Sequence, residues 1–192
     1  MILFRDALLN AIPLTFVLQD YNEFVLRLVT LPNLLLTWAA NTKPDESLRL
    51  PLDGQSHNDI EITSALLTAF TSDLKAKSIN LVFLSGPWSP SLASCIPPSS
   101  PDLGLLILAA ETIYSPESTA AFVELLVLLL KRVKMTKAMV AAKRIYFGVG
   151  GSVNGLKEAC RQHGAVASEI ENHGLVVMDS GVGRALIEVQ MF

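Results

Sequence analysis

The chain alternates short, strongly apolar runs with segments of helical spacing, and this alternation limits its fold more than any other feature. In the C-terminal half, LGLLILAA (103–110) and KAMVAAK (137–143) have the length and composition of buried strands. A helical pattern follows each of them, at 115–132 with Ser115 as its cap and at 153–164. This order predicts an α/β fold with a doubly wound, mostly parallel sheet.

The rest of the chain extends the prediction to six strands. Asn22 is expected to cap a helix that Pro32 breaks or bends. Residues 87–102 are rich in proline and serine and are expected to be irregular. The other predicted elements are helices at 2–11 and 62–77 and strands at 14–20, 79–84, 165–172 and 184–192, the last two being antiparallel neighbours.

Composition narrows the class of protein. Hydrophobic residues make up 51% of the chain, but its longest apolar runs are much shorter than the roughly 18 residues of a membrane span. The formal net charge of −3 argues against a broad cationic surface for direct nucleic-acid binding. Two cysteines are too few for a disulfide framework, and no secretory pattern opens the chain. We therefore expect a protein of the cytoplasm and nucleus that does not bind membranes.

Residues just after the strands are the candidate ligand contacts, because doubly wound sheets bind ligands at the carboxyl ends of their strands. Asp20 ends the first strand and has the chemistry to accept ribose hydroxyls, although Asp20, Tyr21 and Asn22 also suit a simple turn. Gly86 allows a ligand close to the backbone. Trp88 offers a face on which adenine stacks or, alternatively, one that covers the sheet edge.

Glu111 follows the most apolar strand. An acid at this position suits the orientation of a substrate nitrogen or the acceptance of a proton, with Tyr114 donating a hydrogen bond or stacking. In the alternative interpretation, Glu111 forms an ion pair with Lys143 or Arg144 and only stabilises the rim of the sheet.

The segment YFGVGG, Tyr146–Gly151, lies between a strand and a helix like a dinucleotide-binding loop. Val153 stands where such a loop requires glycine or alanine, so we predict a tight loop that shapes a pocket instead of a phosphate cradle. His57, His163 and His173 are scattered and form neither a zinc-binding spacing nor a catalytic triad. No metal is therefore expected.

Four segments together resemble the histidine protein methyltransferases, a branch of the seven-strand class I S-adenosylmethionine-dependent methyltransferases. They are DYNEFVLRLVTLPNLLLTWA (20–39), SGPW (85–88), ETIYSPES (111–118) and AAKRIYFGVGGSV (141–153). Their order and rough spacing fit that family. The resemblance covers nearly the whole chain except an insertion at about 41–77, and it implies that residues 1–192 form a single methyltransferase domain.

The resemblance implies an enzyme that uses S-adenosylmethionine to methylate a histidine of a large-subunit ribosomal protein. It assigns Glu111 and Tyr114 to the methyl-transfer centre as catalytic residues. It assigns the cofactor to Asp20, Tyr21, Asn22, Gly86, Trp88 and Ala110. It assigns the substrate to Thr112, Tyr146, Phe147, Gly148, Gly150 and Gly151.

The chain departs from the family pattern at its beginning. Family members carry a glycine-rich loop about 20 residues before the ribose-binding acid, whereas counting back from Asp20 reaches only ILFRDALL (2–9). The strand before that loop, expected between the Asp20 strand and strand 103–110, is also missing, and Pro87 replaces an acid. We therefore expect an incomplete domain that is poorly stable and binds cofactor weakly. It is expected to associate with itself or with a partner chain that completes the sheet.

Three functions are compatible with the sequence. The chain is part of an active histidine protein methyltransferase, or a non-catalytic subunit that acts by interaction, or a methyltransferase of small molecules, since a fold does not fix a substrate.

Overall fold

The predicted alternation of strands and helices is present in the computed structural model. The structure describes residues 1–42, 61–99, 104–170 and 183–192. Contacts divide the chain into two units, which we call unit 1 (Met1–Gly86) and unit 2 (Pro87–Phe192). Both units are α/β, and strand pairing over the described residues is mixed. The single domain and its insertion at 41–77 stay predictions, and residues 43–60 of that insertion lie outside the described residues.

Unit 1 is built on a two-stranded parallel sheet. Strands β1 (Leu14–Asp20) and β2 (Ile79–Ser85) pair along their full length, so that Asp20 and Ser85 end side by side. Its helices are α1 (Ile2–Asn10), α2 (Glu23–Val25), α3 (Leu31–Asn41) and α4 (Ser64–Ala76). Its buried core includes Phe4, Leu8, Leu34, Trp38, Phe70 and Ile79.

The helix after β1 continues through Pro32, so of the two predicted effects the break does not occur, and the bend stays a prediction. Asn22 caps this helix as predicted, its side-chain oxygen accepting a hydrogen bond from the Phe24 N–H at 2.9 Å. A π-helical turn, Leu26–Thr30, joins α2 to α3, and Pro32 lies in the first turn of α3. Because the hydrogen-bonding register changes there, the N–H that proline lacks is not needed. The segment Glu23–Asn41 is long and apolar enough to cross a membrane by length and composition alone, which by itself is weak evidence for a membrane span.

Unit 2 is built on a four-stranded mixed sheet. Its strands are β3 (Leu105–Ala110), β4 (Thr136–Lys143), β5 (Ala165–Glu169) and β6 (Arg184–Met191), in the spatial order β3-β4-β6-β5. Strands β3 and β4 are parallel, whereas β6 is antiparallel to both of its neighbours. The predicted antiparallel pairing of the last two strands is therefore confirmed. It follows that the carboxyl ends of β3 and β4 lie beside the start of β6.

Unit 2 contains a short helix, α5 (Pro90–Cys95), where the sequence predicts an irregular segment over 87–102. Ser89 begins it by accepting a hydrogen bond from the Leu92 N–H at 3.2 Å. The guanidinium of Arg132 donates to the backbone carbonyls of Ala93 and Ile96 near the end of the helix. Arg132 is distant in sequence, so the proline- and serine-rich composition alone does not reveal this support.

The other two helices of unit 2, α6 (Pro116–Leu130) and α7 (Val153–Gln162), pack on one face of the sheet. Alternate residues of the two central strands point into this core, and Val140 and Ile187 are fully buried there. The opposite face exposes Leu108, which is 60% accessible. The full set of buried sheet residues in β4 and β6 is Ala138, Val140, Ala142, Ala185, Ile187 and Val189.

Among the described residues, β3 and β1 are edge strands of their sheets, as β5 and β2 are on the opposite sides. The backbone groups of β3 alternate in direction. The N–H of Leu105 and that of Glu111, just after the strand, donate to carbonyls of Met135 and Ala141 on the β4 side. The backbone groups of Leu106, Leu108 and Ala110 therefore point away from β4. In unit 1, β1 likewise pairs only with β2 within the described part of the chain. Unpaired N–H and C=O groups are costly if they are also dry. Strands β1 and β3 are the two beside which the sequence predicts a further strand.

The two cysteines provide a test of the unit 2 core. Cys160 is fully buried, and burial raises the pKa of its thiol to about 11, whereas Cys95 is exposed. Because the thiolate is the reactive form, we expect a maleimide or a disulfide reagent to modify Cys95 in the native protein and Cys160 only after unfolding. Peptide mapping by mass spectrometry measures this, and equal labelling of both thiols in the native protein would contradict the described packing.

Candidate functional site

The carboxyl ends of β3 and β4 bring together the two segments of unit 2 that the sequence singles out. Glu111 follows β3 directly, and its backbone is left-handed, with φ +55°. The Tyr146–Gly151 loop follows β4. The Gly151 N–H donates to the carbonyl of Tyr114 at 3.2 Å, which joins the loop to the Glu111–Tyr114 segment.

A hydrogen bond between Tyr146 and Glu111 is the central contact of this rim. Tyr146 is only 8% exposed, and its hydroxyl donates to Glu111 Oε2 at 2.9 Å. The same hydroxyl oxygen accepts a hydrogen bond from the Lys143 N–H at 3.2 Å. Burial is the main reason that the pKa of the Tyr146 phenol is raised, and the Glu111 carboxylate raises it further. At neutral pH the phenol therefore stays protonated and donates a hydrogen bond to the Glu111 carboxylate.

The cations near this pair differ from those considered in the sequence. Arg184 Nε, at the start of β6, lies 3.9 Å from Glu111 Oε1. The Lys143 ammonium lies 5.6 Å from the centroid of the Tyr146 ring. Arg144 pairs with Glu169 instead. An ion pair of Glu111 with Lys143 or Arg144 is therefore not what the structure shows.

Arg184 is a residue that the sequence does not identify. It contacts the site only because the antiparallel register of β4 and β6 places it opposite Lys143. More than 70 residues separate Arg184 from Glu111, so no local pattern marks it.

The loop after β4 is tight and bonded to itself, as predicted. The Tyr146 N–H donates to the Gly151 carbonyl at 2.8 Å, and the Gly150 N–H donates to the Tyr146 carbonyl at 3.1 Å. Gly148 and Gly150 have positive φ values of +80° and +83°. Three N–H groups of the loop, those of Tyr146, Gly150 and Gly151, donate within the protein and are therefore not available to a ligand. Phe147, at its tip, is 77% exposed.

The Thr112 and Tyr114 side chains flank this arrangement. Thr112 Oγ1 is buried and has no hydrogen-bond partner within the described ranges. Tyr114 is about half exposed, at 48%. Ile113 between them is fully buried and anchors the segment in the core. The chemistry available here is that of an oriented carboxylate with an accessible aromatic ring beside it.

A second group of predicted site residues lies in unit 1. Asp20 Oδ1 accepts a hydrogen bond from the Asn22 N–H at 2.9 Å, and Asp20 Oδ2 has no partner among the residues that the structure describes. The Gly86 N–H donates to the Asp20 carbonyl at 3.2 Å, so these residues are neighbours at the end of the sheet. Tyr21 is 74% exposed beside them. A Cβ added at Gly86 meets nothing within 4 Å, so this rim has open space.

Trp88 and Ala110 belong to unit 2. The Trp88 ring packs edge-on against Phe122, with 5.4 Å between centroids, and so contributes to the core. Both interpretations of Trp88 from the sequence, adenine stacking and covering of the sheet edge, stay predictions. Ala110 is exposed at the end of β3. Over the described residues, no group of three or more histidine, cysteine, aspartate or glutamate side chains is arranged to hold a metal ion. His57 and His173 lie outside those residues.

Three known proteins to which the chain is similar share one name. The chain is 42% identical over 151 residues to histidine protein methyltransferase 1 of Schizosaccharomyces pombe and 39% identical over 166 residues to that of Saccharomyces cerevisiae. It is 31% identical over 171 residues to the histidine protein methyltransferase 1 homolog of Rattus norvegicus. These alignments cover 78%, 79% and 89% of the chain but only 42%, 43% and 42% of the relatives. The chain therefore spans less than half the length of these relatives. No family model matches it.

Proposed function

Because this chain is homologous to the histidine protein methyltransferases over about four fifths of its length, we propose that it transfers a methyl group to a histidine side chain of a protein. The observation that carries the proposal is the identity of 42% and 39% to two proteins of that name. The arrangement of Glu111 and Tyr146 at the carboxyl end of β3 supports it, because an oriented carboxylate suits an imidazole substrate.

The rim of unit 1 suits S-adenosylmethionine as the methyl donor. The carboxylate of Asp20 keeps one oxygen available to accept ribose hydroxyls, and Gly86 leaves space for a flat adenine ring. Tyr21 and Asn22 adjoin this position. When bound, the cofactor supplies a methyl group on a positively charged sulfur. Trp88 and Ala110 of unit 2 are also proposed to contact the cofactor, and for these two residues the proposal rests on the family resemblance alone.

Glu111 is the proposed catalytic residue on the substrate side. A neutral imidazole carries one N–H and one nitrogen with a lone pair. When the carboxylate of Glu111 accepts the N–H, the lone pair of the other nitrogen is free to react, and the carboxylate stabilises the positive charge that develops on the ring. Tyr114 is proposed to contact the imidazole beside it. Thr112, whose hydroxyl lacks a partner in the described structure, and the loop residues Phe147, Gly148, Gly150 and Gly151 are proposed to form the wall of the pocket.

The target and the location are further parts of the proposal. We propose that the methylated histidine belongs to a ribosomal protein, as the family resemblance implies, and that the protein acts in the cytoplasm and nucleus without binding nucleic acid directly. We also propose that the complete fold is the doubly wound, mostly parallel sheet predicted from the sequence. That fold requires strands paired along the open edges of β1 and β3.

The same open edges favour a second candidate, a non-catalytic subunit. Strand edges with unpaired backbone groups are sites at which another chain, or a second copy, adds a strand. Such a subunit would depend on a partner to complete the sheet. It would not bind the cofactor by itself.

Calorimetric titration with S-adenosylhomocysteine tests the cofactor site. We expect weak but measurable binding by the chain, and a loss of about tenfold or more in Asp20→Asn, because a hydrogen bond to a charged group is removed. Asp6→Asn is the matched control, since Asp6 is a half-exposed acid of α1 whose only described ion pair is with the adjacent Arg5. Equal binding by Asp20→Asn and the parent chain would contradict the role of Asp20, and no binding would favour the non-catalytic subunit.

Transfer of a labelled methyl group tests the reaction itself. We expect label in ribosomal protein fractions, recovered as methylhistidine after hydrolysis. Label found only in small metabolites would instead indicate a small-molecule methyltransferase.

A further inference from the structure

The Tyr146 hydroxyl has its proton directed toward Glu111. A phenol has a single proton and accepts through its lone pairs. The Lys143 N–H occupies one lone pair at 3.2 Å, and the proton is donated to Glu111 Oε2 at 2.9 Å. The position of the ring is fixed, because the Tyr146 N–H donates a hydrogen bond to the Gly151 carbonyl and the residue is only 8% exposed. The phenol is therefore a rigid donor with one acceptor.

Glu111 itself is poorly fixed by its own segment. Its side chain is 45% exposed and its backbone is left-handed. A glutamate in this position has three side-chain torsions to order before it can hold a substrate. Tyr146, in the loop after β4, donates a hydrogen bond to one carboxylate oxygen, and Arg184, at the start of β6, lies 3.9 Å from the other. Both contacts that orient the carboxylate therefore come from outside the strand that precedes it.

We propose that Tyr146 is a positioning residue, which holds the Glu111 carboxylate in the orientation that accepts the N–H of the target imidazole. This inference rests on the proposed function. It gives Tyr146 a different role from the substrate wall implied by the family resemblance, because the phenol acts through Glu111. The charged groups that face Tyr146 are Glu111 after β3, Lys143 at the end of β4 and Arg184 at the start of β6.

The first experiment compares methyl transfer by the full chain and its Tyr146→Phe variant. Loss of a hydrogen bond to a charged acceptor is expected to lower kcat roughly 10- to 100-fold while KM changes little, because the substrate still binds but meets a misoriented carboxylate. Glu169→Gln is the control, since it removes another carboxylate of unit 2, paired with Arg144, that is not part of the site. A kcat for Tyr146→Phe equal to that of the parent chain would overturn the proposal.

The second experiment needs no activity. Burial and Glu111 raise the pKa of the Tyr146 phenol, so an ultraviolet titration should show a late ionisation step above the ordinary tyrosine range. In Glu111→Gln the late step should move to lower pH, because the negative acceptor is gone, yet stay above the ordinary tyrosine range because burial persists. Glu169→Gln should leave it unchanged. A late step unaffected by Glu111→Gln would show that the two side chains are not coupled.

The two experiments separate the inference from the proposed function. If the parent chain transfers no methyl group to any histidine, the proposed function fails, and the titration then decides whether Tyr146 holds Glu111. If transfer occurs and the titration shows coupling but Tyr146→Phe is fully active, the positioning role is overturned while the proposed function stands.

Discussion

Replacing Gly151 with alanine is expected to destabilise unit 2 by about 3 kcal/mol, because the new methyl group has no space. A Cβ at this position would lie 2.0 Å from the carbonyl oxygen of Ile113 and 2.4 Å from the carbonyl carbon of Tyr114. Both are backbone atoms, and Ile113 is fully buried, so neither can move aside without displacing the segment that carries Glu111. Urea unfolding followed by circular dichroism measures the loss.

Gly148→Ala is the matched control in the same loop. Gly148 has φ +80°, but a Cβ there meets nothing within 4 Å. Its replacement costs only the backbone strain of a left-handed alanine, about 1 kcal/mol. If Gly151→Ala proves no more destabilising than Gly148→Ala, the close packing of the loop against the Ile113 backbone is incorrect.

Ile187→Ala is expected to cost about 3 kcal/mol of unfolding free energy, because it removes a fully buried side chain from a central strand and leaves a cavity. Ile187 lies opposite Val140 in the register of β4 and β6, and both belong to the core beneath α6 and α7. The cavity is enclosed by two strands and two helices, so little collapse is expected to relieve it. The same urea titration applies.

Leu108→Ala provides the comparison on the other face of the same sheet. Leu108 is 60% exposed, so its truncation should cost less than about 1 kcal/mol. A large loss for Leu108→Ala together with a small one for Ile187→Ala would mean that the core lies on the opposite face from the one described.

Features with a local physical cause were predictable from the sequence. Asn22 and Ser115 cap helices as predicted, because a short polar side chain can accept a backbone N–H two or three residues ahead. Ser118 completes a capping box with Ser115 even though it is shorter than the glutamate preferred there. The apolar runs at β3 and β4 became strands because their spacing and length suit a sheet.

Features that depend on distant residues were not predictable in this way. The helix α5 is stabilised by hydrogen bonds from Arg132, 36 residues beyond Ile96 in the sequence. The helix continues through Pro32 because of a π-helical turn, which the residue pattern does not predict. In the candidate site, the sequence identified Glu111 and Tyr146 separately but not their hydrogen bond. That contact and the approach of Arg184 follow from strand order and register, which are set by the whole sheet.

The left-handed backbone of Glu111 has a cost in folding free energy that depends on which residue occupies the position. Among ordinary side chains, glutamate gains nothing from φ +55°, whereas glycine adopts it freely and asparagine does so readily. Selecting variants for thermostability alone is therefore expected to favour glycine at position 111, which removes the carboxylate. Relative to glycine, the glutamate at this position costs about 1 kcal/mol of folding free energy, and it presents an acid at this point of the rim.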